Sequence, residues 1–562
     1  MKKNKIRVGI IVDNGPIPYL SYDLIEKSLN QDKYEIIALF VQHNKLAPKN
    51  IISKIVDYIS RRGLKKLIES MSFSLITSLE KFALTKFYGL GIIFCNKDIN
   101  SFNCEVINVH PKISKSGLVY RYNNDDICRI RKMNLDVLVQ AGSGILKGEI
   151  LKVCPKGILS FHHANNDIHR GGPPGFWEVF YQHPSTGFII QKLTDELDGG
   201  QVIFKGSIRT YYLYLLNWAR ICIKANYFLH YQLMMLNNKD NFQQKYVNKL
   251  YYNELSNIPS LRVQIKYIFQ TISILFKKTW NKIRSKQLKW GISYQFVEKW
   301  NRIDFRKSIR IKNTKNHFFA DPFISKYKNR NIIFFEDYCF KKKKANISAI
   351  EINSDKSYTL LGTALDEDFH LSYPYVFQYK NNLYMCPESN ENKDIRLYKC
   401  KDYPLKWELE KILIDDISAA DINIFHHNEK WWLFANVDSS DLSKYSSAEH
   451  ESELHIFFSD SLLDGRLKRH PKNPVIFNSN NARNAGKISS NGTLYRVYQN
   501  QDFDFYGRSF GVSKIKKLTE EDYEEEKLYN VEPNFYNDIL GTHHFSFEKN
   551  IAVFDHVSIR RN

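Results

Sequence analysis

A short sequence pattern recurs five times in the second half of the chain, and this repetition limits the possible folds more than any other feature. Each copy begins a predicted strand with a small or turn-forming polar motif, and a loop and a second strand follow. The strand openings are Phe319-Ala-Asp321-Pro-Phe, Leu371-Ser-Tyr-Pro374-Tyr-Val-Phe, Ala420-Asp421-Ile-Asn-Ile-Phe425, Asn484-Ala-Gly486-Lys-Ile and Thr542-His543-His544-Phe-Ser-Phe. A period of roughly 50 to 65 residues is typical of four-stranded propeller blades. The pattern therefore predicts a five-bladed β-propeller over residues 296–562.

The sequence around these repeats also indicates an all-β region. From Trp290 onward, short segments rich in Tyr, Phe, Trp and Ile alternate with turns of Asn, Asp, Lys and Gly. The second strand of each repeat is predicted at residues 331–336, 382–386, 430–435, 493–499 and 551–556.

The first 205 residues have the pattern of an α/β domain. An apolar run at residues 6–12 ends in Asp13-Asn-Gly-Pro16, as expected for a buried strand followed by a turn. A helical segment over residues 19–29 and an apolar run over residues 34–41 complete a βαβ unit, which predicts a parallel sheet. Further strands are predicted at residues 91–94, 105–109, 135–140, 157–162 and 186–193.

Residues 206–295 are predicted to form a helical connector between these two domains. Residues 211–237 have a helical pattern, and a second apolar stripe at helical spacing is accompanied by many basic residues. Such a basic amphipathic stretch either lies on an anionic membrane or packs on its own protein. The stripe consists of Leu261, Ile265, Ile268, Phe269, Ile272, Leu275, Phe276 and Ile283.

Length and charge set further limits. The 562 residues are enough for about two to four domains. The formal net charge of +21 favours anionic partners such as a membrane surface or phosphorylated small molecules. We expect no nucleic acid partner, because the charge is not accompanied by a clustered patch on a nucleic-acid-binding fold. The eight cysteines form no CxxC pair, so neither a zinc site nor a disulfide framework is predicted.

The N-terminus begins like a signal peptide, but its apolar run is too short for one. The run from Val8 is interrupted by Asp13, and no stretch reaches the roughly 18 apolar residues of a spanning helix. A reducing compartment suits the scattered cysteines. We therefore expect a cytoplasmic protein, with peripheral contact to an anionic membrane as an open alternative.

Residues 157–200 have the richest chemistry of the N-terminal domain. They contain a strand ending at His162, a loop beginning Arg170-Gly-Gly-Pro-Pro, another strand, and Asp198 in a Leu-Asp-Gly-Gly turn. A histidine and a carboxylate at the carboxyl edge of a parallel sheet can form a proton-transfer pair. Each also has a plainer interpretation, as a strand-end histidine and a turn carboxylate.

Together with Leu135-Asp-Val-Leu-Val-Gln-Ala-Gly-Ser-Gly-Ile-Leu146, these motifs resemble the folate-dependent formyltransferases over residues 90–205. The resemblance implies that His162 and Asp198 are catalytic and that 10-formyltetrahydrofolate is the cofactor. It places Ser160 where the family has a catalytic Asn, and a hydroxyl does not reach where the amide would donate to an oxyanion. The implied substrate-binding residues are His163, Asn165, Arg170 and Gly171.

Residues 300–560 resemble the propellers of furanosidase-type glycosidases and, more closely, the N-terminal module of the glucosamine inositolphosphorylceramide transferase family. The resemblance implies inner-strand acids around a central pocket, where two carboxylates act across a sugar. Asp321 matches the first acid, and Glu388 and Asp421 are the candidates for the others, ahead of Glu336 and Asp337. Alternatively, these acids cap turns or bind a sugar without cutting it. Aromatic, amide and basic side chains suited to sugar recognition are Tyr373, Tyr375, Trp431, Trp432, Arg483, Tyr498, Gln499, Tyr506, His543 and His544.

Three functions fit these observations. The first is a folate-dependent transferase that adds a formyl or related acyl group to an amino sugar in surface polysaccharide biosynthesis. In this hypothesis the propeller recognises a nucleotide-linked or lipid-linked amino sugar. The second is glycosyltransferase or glycosidase chemistry in the propeller beside a degenerate N-terminal domain. The third is a non-catalytic glycan-binding adaptor. Replacing Asp321 and Asp421 would abolish activity under the second hypothesis and weaken only acceptor binding under the first.

Overall fold

The computed structural model divides the chain into two compact units, which meet in sequence between Ile272 and Ser273. The structure describes residues 5–43, 51–162, 170–195, 200–236, 255–284, 286–440, 448–490 and 492–561.

The first unit is an α/β domain. Its strands are β1 (Ile6–Asp13), β2 (Ile17–Pro18), β3 (Tyr34–Gln42), β4 (Asn96–Lys97), β5 (Glu105–Val109), β6 (Lys112–Ile113), β7 (Val119–Arg121), β8 (Val137–Gln140), β9 (Ile145–Leu146), β10 (Ile158–His162), β11 (Arg170–Gly171), β12 (Ser185–Lys192), β13 (Gln201–Arg209) and β14 (Leu255–Ser256). The helices are α1 (Tyr19–Leu29), α2 (Ile51–Arg62), α3 (Leu64–Phe87), α4 (Asn124–Lys132), α5 (Phe176–Phe180), α6 (Tyr214–Met235) and α7 (Leu261–Ile283), the last of which continues into the second unit.

The main sheet of this unit has seven strands in the order β13-β12-β10-β8-β1-β3-β5. The five strands from β10 to β5 are parallel, which confirms the prediction of a parallel α/β sheet. The prediction is wrong at one edge of the sheet, where the last two strands, β12 and β13, are antiparallel. They follow one another with a connection too short for the crossover that a parallel pair needs.

Two helical features of this unit differ from the sequence prediction. The predicted strand at residues 91–94 is a single 3-10 turn, because Ile93 and Cys95 direct their amide protons back to the carbonyls of Leu90 and Ile92. The long helix α3, which precedes it, was not predicted. By contrast, α1 has the predicted bounds, and α6 lies within the predicted helical segment 211–237.

The second unit is all-β after the end of α7. Its strands are β15 (Lys286–Phe296), β16 (Ile309–Arg310), β17 (His317–Tyr327), β18 (Arg330–Cys339), β19 (Lys344–Ile352), β20 (Tyr358–Leu365), β21 (Ser372–Tyr379), β22 (Asn382–Ser389), β23 (Asp394–Asp402), β24 (Lys406–Asp415), β25 (Ala419–His427), β26 (Lys430–Val437), β27 (Glu453–Ser459), β28 (Lys468–Arg469), β29 (Ile476–Phe477), β30 (Gly486–Ile488), β31 (Tyr495–Asp502), β32 (Phe505–Leu518), β33 (Tyr523–Val531), β34 (Phe545–Glu548) and β35 (Ile551–Arg561).

Successive strands of this unit form mostly antiparallel sheets. Three of them are β17 to β20, β21 to β24, and β25 to β28 with β29 alongside, and β31 to β33 form a smaller one. A further sheet, β16-β15-β35-β34-β30, joins the first strands of the unit to its last, since β15 pairs with β35 along its whole length. Buried apolar side chains fill the spaces between neighbouring sheets. These sheets confirm the predicted all-β region.

Candidate functional site

The first strands of three sheets share one irregularity. In β17, the pairing with the next strand skips the two residues between Ala320 and Phe323, and β21 and β25 skip two residues at the same place. The first of the two skipped residues has a left-handed backbone in each strand, with φ of +50° at Asp321, +46° at Tyr373 and +48° at Asp421. This conformation costs a non-glycine residue about 1–2 kcal/mol. Its repetition inside strands marks these three positions as candidates for function.

Asp421 belongs to a largely buried group of three ionisable side chains. Arg483 donates from Nε to Oδ2 of Asp421 at 2.6 Å, and its Nη2 lies 3.8 Å from Oε2 of Glu388. The backbone N–H of Asp421 donates to the same Glu388 oxygen at 3.4 Å. Gln499 donates to Oδ2 of Asp421 at 3.3 Å. The arginine therefore holds the two acids side by side, away from bulk water.

Burial and the charges of neighbouring acids raise the pKa values of both Glu388 and Asp421. Burial is the largest influence on Glu388, and the charge of Asp421 adds to it against the opposing charge of Arg483, so that the pKa reaches about 8. Burial also raises the pKa of Asp421, although Arg483 opposes it. Glu388 is therefore protonated near neutral pH and can donate a proton.

Asp321 has the opposite electrostatic environment. Burial alone would raise its pKa, but the adjacent imidazole of His544 and the positive charges of His543 and Arg483 outweigh burial and lower it. Nδ1 of His544 lies 3.5 Å, and Nε2 of His543 3.6 Å, from Oδ1 of Asp321. Asp321 is therefore ionised in the same cluster in which Glu388 is protonated.

Aromatic rings surround His543. Trp290 stacks on its imidazole with 3.9 Å between ring centroids, and Tyr506 approaches it edge-on at 5.3 Å. The guanidinium of Arg483 lies 5.0 Å from the centre of the Tyr506 ring. A sugar ring stacks on such aromatic faces, and nearby imidazole and guanidinium groups supply hydrogen bonds.

Glu336 occupies the same place in its sheet as Glu388 does in the next. Ala320 pairs with Glu336 across β17 and β18, and Ser372 pairs with Glu388 across β21 and β22. Glu336 lies 3.4 Å from Nε2 of His370. Burial raises the pKa of Glu336, with His370 opposing. The repeat therefore supplies a second protonatable carboxyl group, and its relation to Glu388 is visible only once the strand register is known.

Three buried residues could together hold a cation, although the sequence predicts no metal site. Ligand atoms of Asp321, His543 and Asp555 all lie within 4.8 Å of one another. Oδ2 of Asp555 also lies 2.5 Å from Nδ1 of His543, which is an ion-pair distance. Burial lowers the pKa of His543, but the negative charge of Asp555 raises it by more. The pKa of His543 is therefore above its ordinary value.

Other residues predicted for sugar recognition are part of the hydrophobic core. Tyr375 and Trp431 pack in one buried cluster and Trp432 in another, in keeping with their alternative interpretation as core. Asp337, one of the less favoured candidate acids, contacts His317, with 2.6 Å between Oδ1 and Nδ1. Of the predicted set, the residues that meet around the acids are Tyr373, Arg483, Gln499, Tyr506, His543 and His544.

The candidate residues of the N-terminal unit are only partly described. Ser160 and His162 lie at the end of β10, where they pair with Gln191 and Ile189 of β12. The backbone of Arg170 and Gly171 forms β11 and pairs with β14. His163, Asn165 and Asp198 lie outside the described residues.

Comparison with known proteins relates the second unit to a family. The model of "Glucosamine inositolphosphorylceramide transferase 1, N-terminal" matches residues 279–539. A relative of that name from Oryza sativa subsp. japonica is 38% identical over 214 residues, which cover 37% of this chain and 28% of the relative. The relative from Arabidopsis thaliana is 37% identical and covers 37% and 27% respectively. The chain thus spans little more than a quarter of the length of these curated relatives.

Solved structures resemble each half of the chain distantly. The catalytic domain of Coprinopsis cinerea GH62 α-L-arabinofuranosidase has 13% identity and a TM-score of 0.31, covering 49% of this chain and 98% of that one. Glycinamide ribonucleotide transformylase 1 from Symbiobacterium toebii has 11% identity and a TM-score of 0.28, covering 42% and 93%. TM-scores of this size establish neither fold nor function.

The comparisons overturn the first functional hypothesis. The matching family model and the curated relatives are glucosamine inositolphosphorylceramide transferases, and they carry no formyl-transfer activity in their names. The expectation of folate-dependent formyl transfer is therefore wrong, and its rival, sugar chemistry in the C-terminal region, agrees better with the relatives. 10-Formyltetrahydrofolate as a cofactor stays an untested prediction from the N-terminal motifs.

Proposed function

We propose that the second unit is a glycosyl-type transferase whose reaction takes place at Asp321 and Glu388, with Asp421 beside them. One observation carries the proposal: a single buried cluster contains carboxyl groups whose pKa values are driven apart, lowered at Asp321 and raised to about 8 at Glu388. Opposed pKa values identify an acid and a base that work together at one reacting bond.

The proposal includes the arrangement of the sheets as five blades of a propeller. The first strands β17, β21 and β25 carry the equivalent bulges, and β30 and β34 pair with each other. The sheet that joins β15 to β35 would close the ring by uniting both ends of the unit. In this arrangement the acids of successive blades meet at the centre.

The chemistry follows from the two protonation states. Protonated Glu388 gives its proton to the oxygen of the leaving group as the bond from that oxygen to the anomeric carbon breaks. Asp321, ionised, either attacks the anomeric carbon or takes the proton of the attacking acceptor hydroxyl. If Asp321 attacks, the acceptor hydroxyl then breaks the glycosyl ester and gives its proton to Glu388. If Asp321 is the base, the acceptor hydroxyl displaces the leaving group directly, and the proton that Asp321 takes passes through solvent to Glu388.

Asp421 and Arg483 act as positioning residues in this scheme. The negative charge of Asp421 contributes to the raised pKa of Glu388, and Arg483 keeps Asp421 paired while buried. A charge that is buried without a partner would destabilise the site strongly. The pair therefore keeps Glu388 protonated without leaving an uncompensated carboxylate.

The substrates we propose are an amino sugar and a phosphate-bearing lipid acceptor, by analogy with the name of the relatives, which specifies glucosamine and inositolphosphorylceramide. A cavity of about 450 Å³ supports an anionic substrate. Trp290, which stacks on His543, lines the cavity, and its basic lining residues are Lys289, Arg310, Lys312 and Lys315. Basic side chains of this kind bind phosphate.

A product-mass assay tests the proposal. We expect the purified full chain to transfer a hexosaminyl unit from activated amino-sugar donors to phosphoinositol lipids, which is read as a gain of one sugar by mass spectrometry. The variant His162→Ala should retain this activity, because the reaction takes place in the second unit. Loss of transfer in His162→Ala would show that the reaction takes place in the N-terminal unit. Sugar binding without turnover would instead identify a glycan-binding adaptor.

The pH profile follows from the same pKa values. Because protonated Glu388 is required, kcat/KM should fall as the pH rises through about 8. Asp321 must be ionised, and its lowered pKa keeps it so until the pH falls below the ordinary carboxyl range. The check is kcat/KM measured from about pH 5 to about pH 10, with roughly a tenfold loss per unit on the basic side. A flat profile across this range would contradict the assignment of Glu388 as the acid.

A further inference from the structure

Helices α3 and α7 of the first unit expose their apolar stripes. On α3, apolar side chains recur at intervals of three and four residues and so share one face. Met71, Leu75, Leu79 and Phe82 are each 62–63% exposed. The remaining exposed members of the two stripes within this unit are Leu64, Ile68, Leu261, Ile265, Ile268, Phe269 and Ile272.

Most of the buried residues of the same helices are polar, although Leu84 of α3 is also buried and Phe73 packs on Phe176 and Tyr214. Glu69 and Glu80 of α3 and Gln264 and Tyr267 of α7 are all buried. The Tyr267 hydroxyl donates to Glu80, whose other carboxylate oxygen accepts from the backbone N–H of Leu215 at 2.8 Å.

A second contact joins the helices near their N-terminal ends. Ser72 donates to the side-chain oxygen of Gln264 at 2.6 Å, and Gln264 donates to the backbone carbonyl of Glu69 at 2.7 Å. The two helices thus direct several hydrogen-bonding groups inward and most of their large apolar groups outward. A helix in contact with water on its outer side has the opposite arrangement.

The charges on these helices indicate which kind of partner binds the apolar stripes. Both acids of α3 are buried, and α7 contains no acidic residue. The exposed basic side chains of α3 and of the part of α7 within this unit are Lys65, Lys66, Lys81, Lys86, Arg262 and Lys266. An apolar stripe beside cations complements a membrane surface with anionic headgroups. A second copy of the chain would bring the same cations against each other.

We infer that α3 and the N-terminal part of α7 bind the surface of an anionic membrane, with their apolar stripes inserted at the level of the headgroups. The helices lie in the interface, because within the described part of the chain no helix is long and apolar enough to cross a bilayer. Of the two alternatives that the sequence left open for α7, the exposed stripe favours the membrane. The inference does not depend on the proposed glycosyl transfer.

Vesicle flotation of the full chain tests the inference. We expect binding to vesicles of phosphatidylcholine with about 30 mol% phosphatidylglycerol, and at least about tenfold weaker binding to phosphatidylcholine alone. The double variant Leu75→Ser, Leu79→Ser should weaken binding to the anionic vesicles by about tenfold or more. The matched control Leu409→Ser, Ile412→Ser changes residues of β24 that are 46% and 44% exposed, and it should bind as the wild type does.

A charge variant keeps the test decisive if the serine variant does not fold. Lys81→Gln, Lys86→Gln should weaken binding to anionic vesicles severalfold and leave the weak binding to neutral vesicles unchanged. Equal binding to both kinds of vesicle, or full binding by the Leu75→Ser, Leu79→Ser variant, would overturn the inference. So would a stable dimer in sedimentation that this variant dissociates, since the stripes would then bind a second copy.

Discussion

Glu388→Gln will lower the rate of glycosyl transfer by about 10²–10⁴, the usual contribution of a positioned general acid. Glutamine has nearly the same shape as protonated glutamic acid, so the contacts of Asp421 and Arg483 should persist. What the variant loses is the proton for the leaving group. The measurement is kcat/KM with an amino-sugar donor, together with the thermal unfolding temperature, which should change little.

The leaving group distinguishes this role from a structural one. The leaving group of a donor such as a dinitrophenyl glycoside departs without protonation, so the variant should recover most of its rate with that donor. Its pH profile should also lose the decline near pH 8 that the raised pKa of Glu388 predicts. The control Glu351→Gln alters a surface residue bound to Arg330 and should leave the rate unchanged. An equal loss with both donors would show that Glu388 does not act as the acid.

Local sequence patterns predicted the all-β region and three of its five repeated strand openings, whereas the fourth and fifth motifs lie in strands that pair with each other. The opening motifs around Asp321, Tyr373 and Asp421 do begin the first strands of successive sheets, because alternating apolar residues and turn residues act over a few positions. The unpredicted helix α3 shows the limit of this approach. Its apolar stripe faces outward. The helical spacing of apolar residues, which usually identifies a buried face, therefore did not indicate that this face is exposed.

The candidate site could be predicted as a set of residues but not as an arrangement. Asp321 and Asp421 were apparent from their repeated motifs, whereas the contact between Arg483 and Asp421 joins residues 62 positions apart. Likewise, the equivalence of Glu336 and Glu388 depends on strand register. Protonation states depend on burial and on neighbours brought together by the fold, and no local motif contains that information.

The left-handed backbone at the three bulges links the fold to the proposed chemistry. A regular strand would alternate its side chains between the two faces of the sheet, and a bulge reorients one of them. Two sheets use this position for an acid, Asp321 and Asp421, and the third uses Tyr373, whose hydroxyl donates to Asn423 at 2.9 Å and accepts from the amide of Gly486 at 2.7 Å. The same left-handed bulge therefore positions both the two acids and the hydrogen-bonded Tyr373.

Asp321→Asn should abolish most of the transfer activity, with a loss of about 10³ or more, because the ionised carboxylate is the nucleophile or the base of the reaction. The asparagine side chain has the same size but can neither take a proton nor form a stable glycosyl ester. Its neutral amide also removes the negative charge that His543 and His544 face. The measurement is the rate of product formation, with Asp366→Asn, an exposed partner of Lys344, as the control.

Azide tests whether the lost group acts at the reacting carbon. In the Asp321→Asn variant, a small anion can occupy the space next to the substituted side chain and attack the anomeric carbon directly, which restores turnover and yields a glycosyl azide. The anomeric configuration of that azide, compared with that of the wild-type product, then separates a nucleophilic role from a basic one. Wild-type activity in Asp321→Asn would contradict the proposed mechanism, because Asp321 is the carboxylate that the buried cluster keeps ionised beside protonated Glu388.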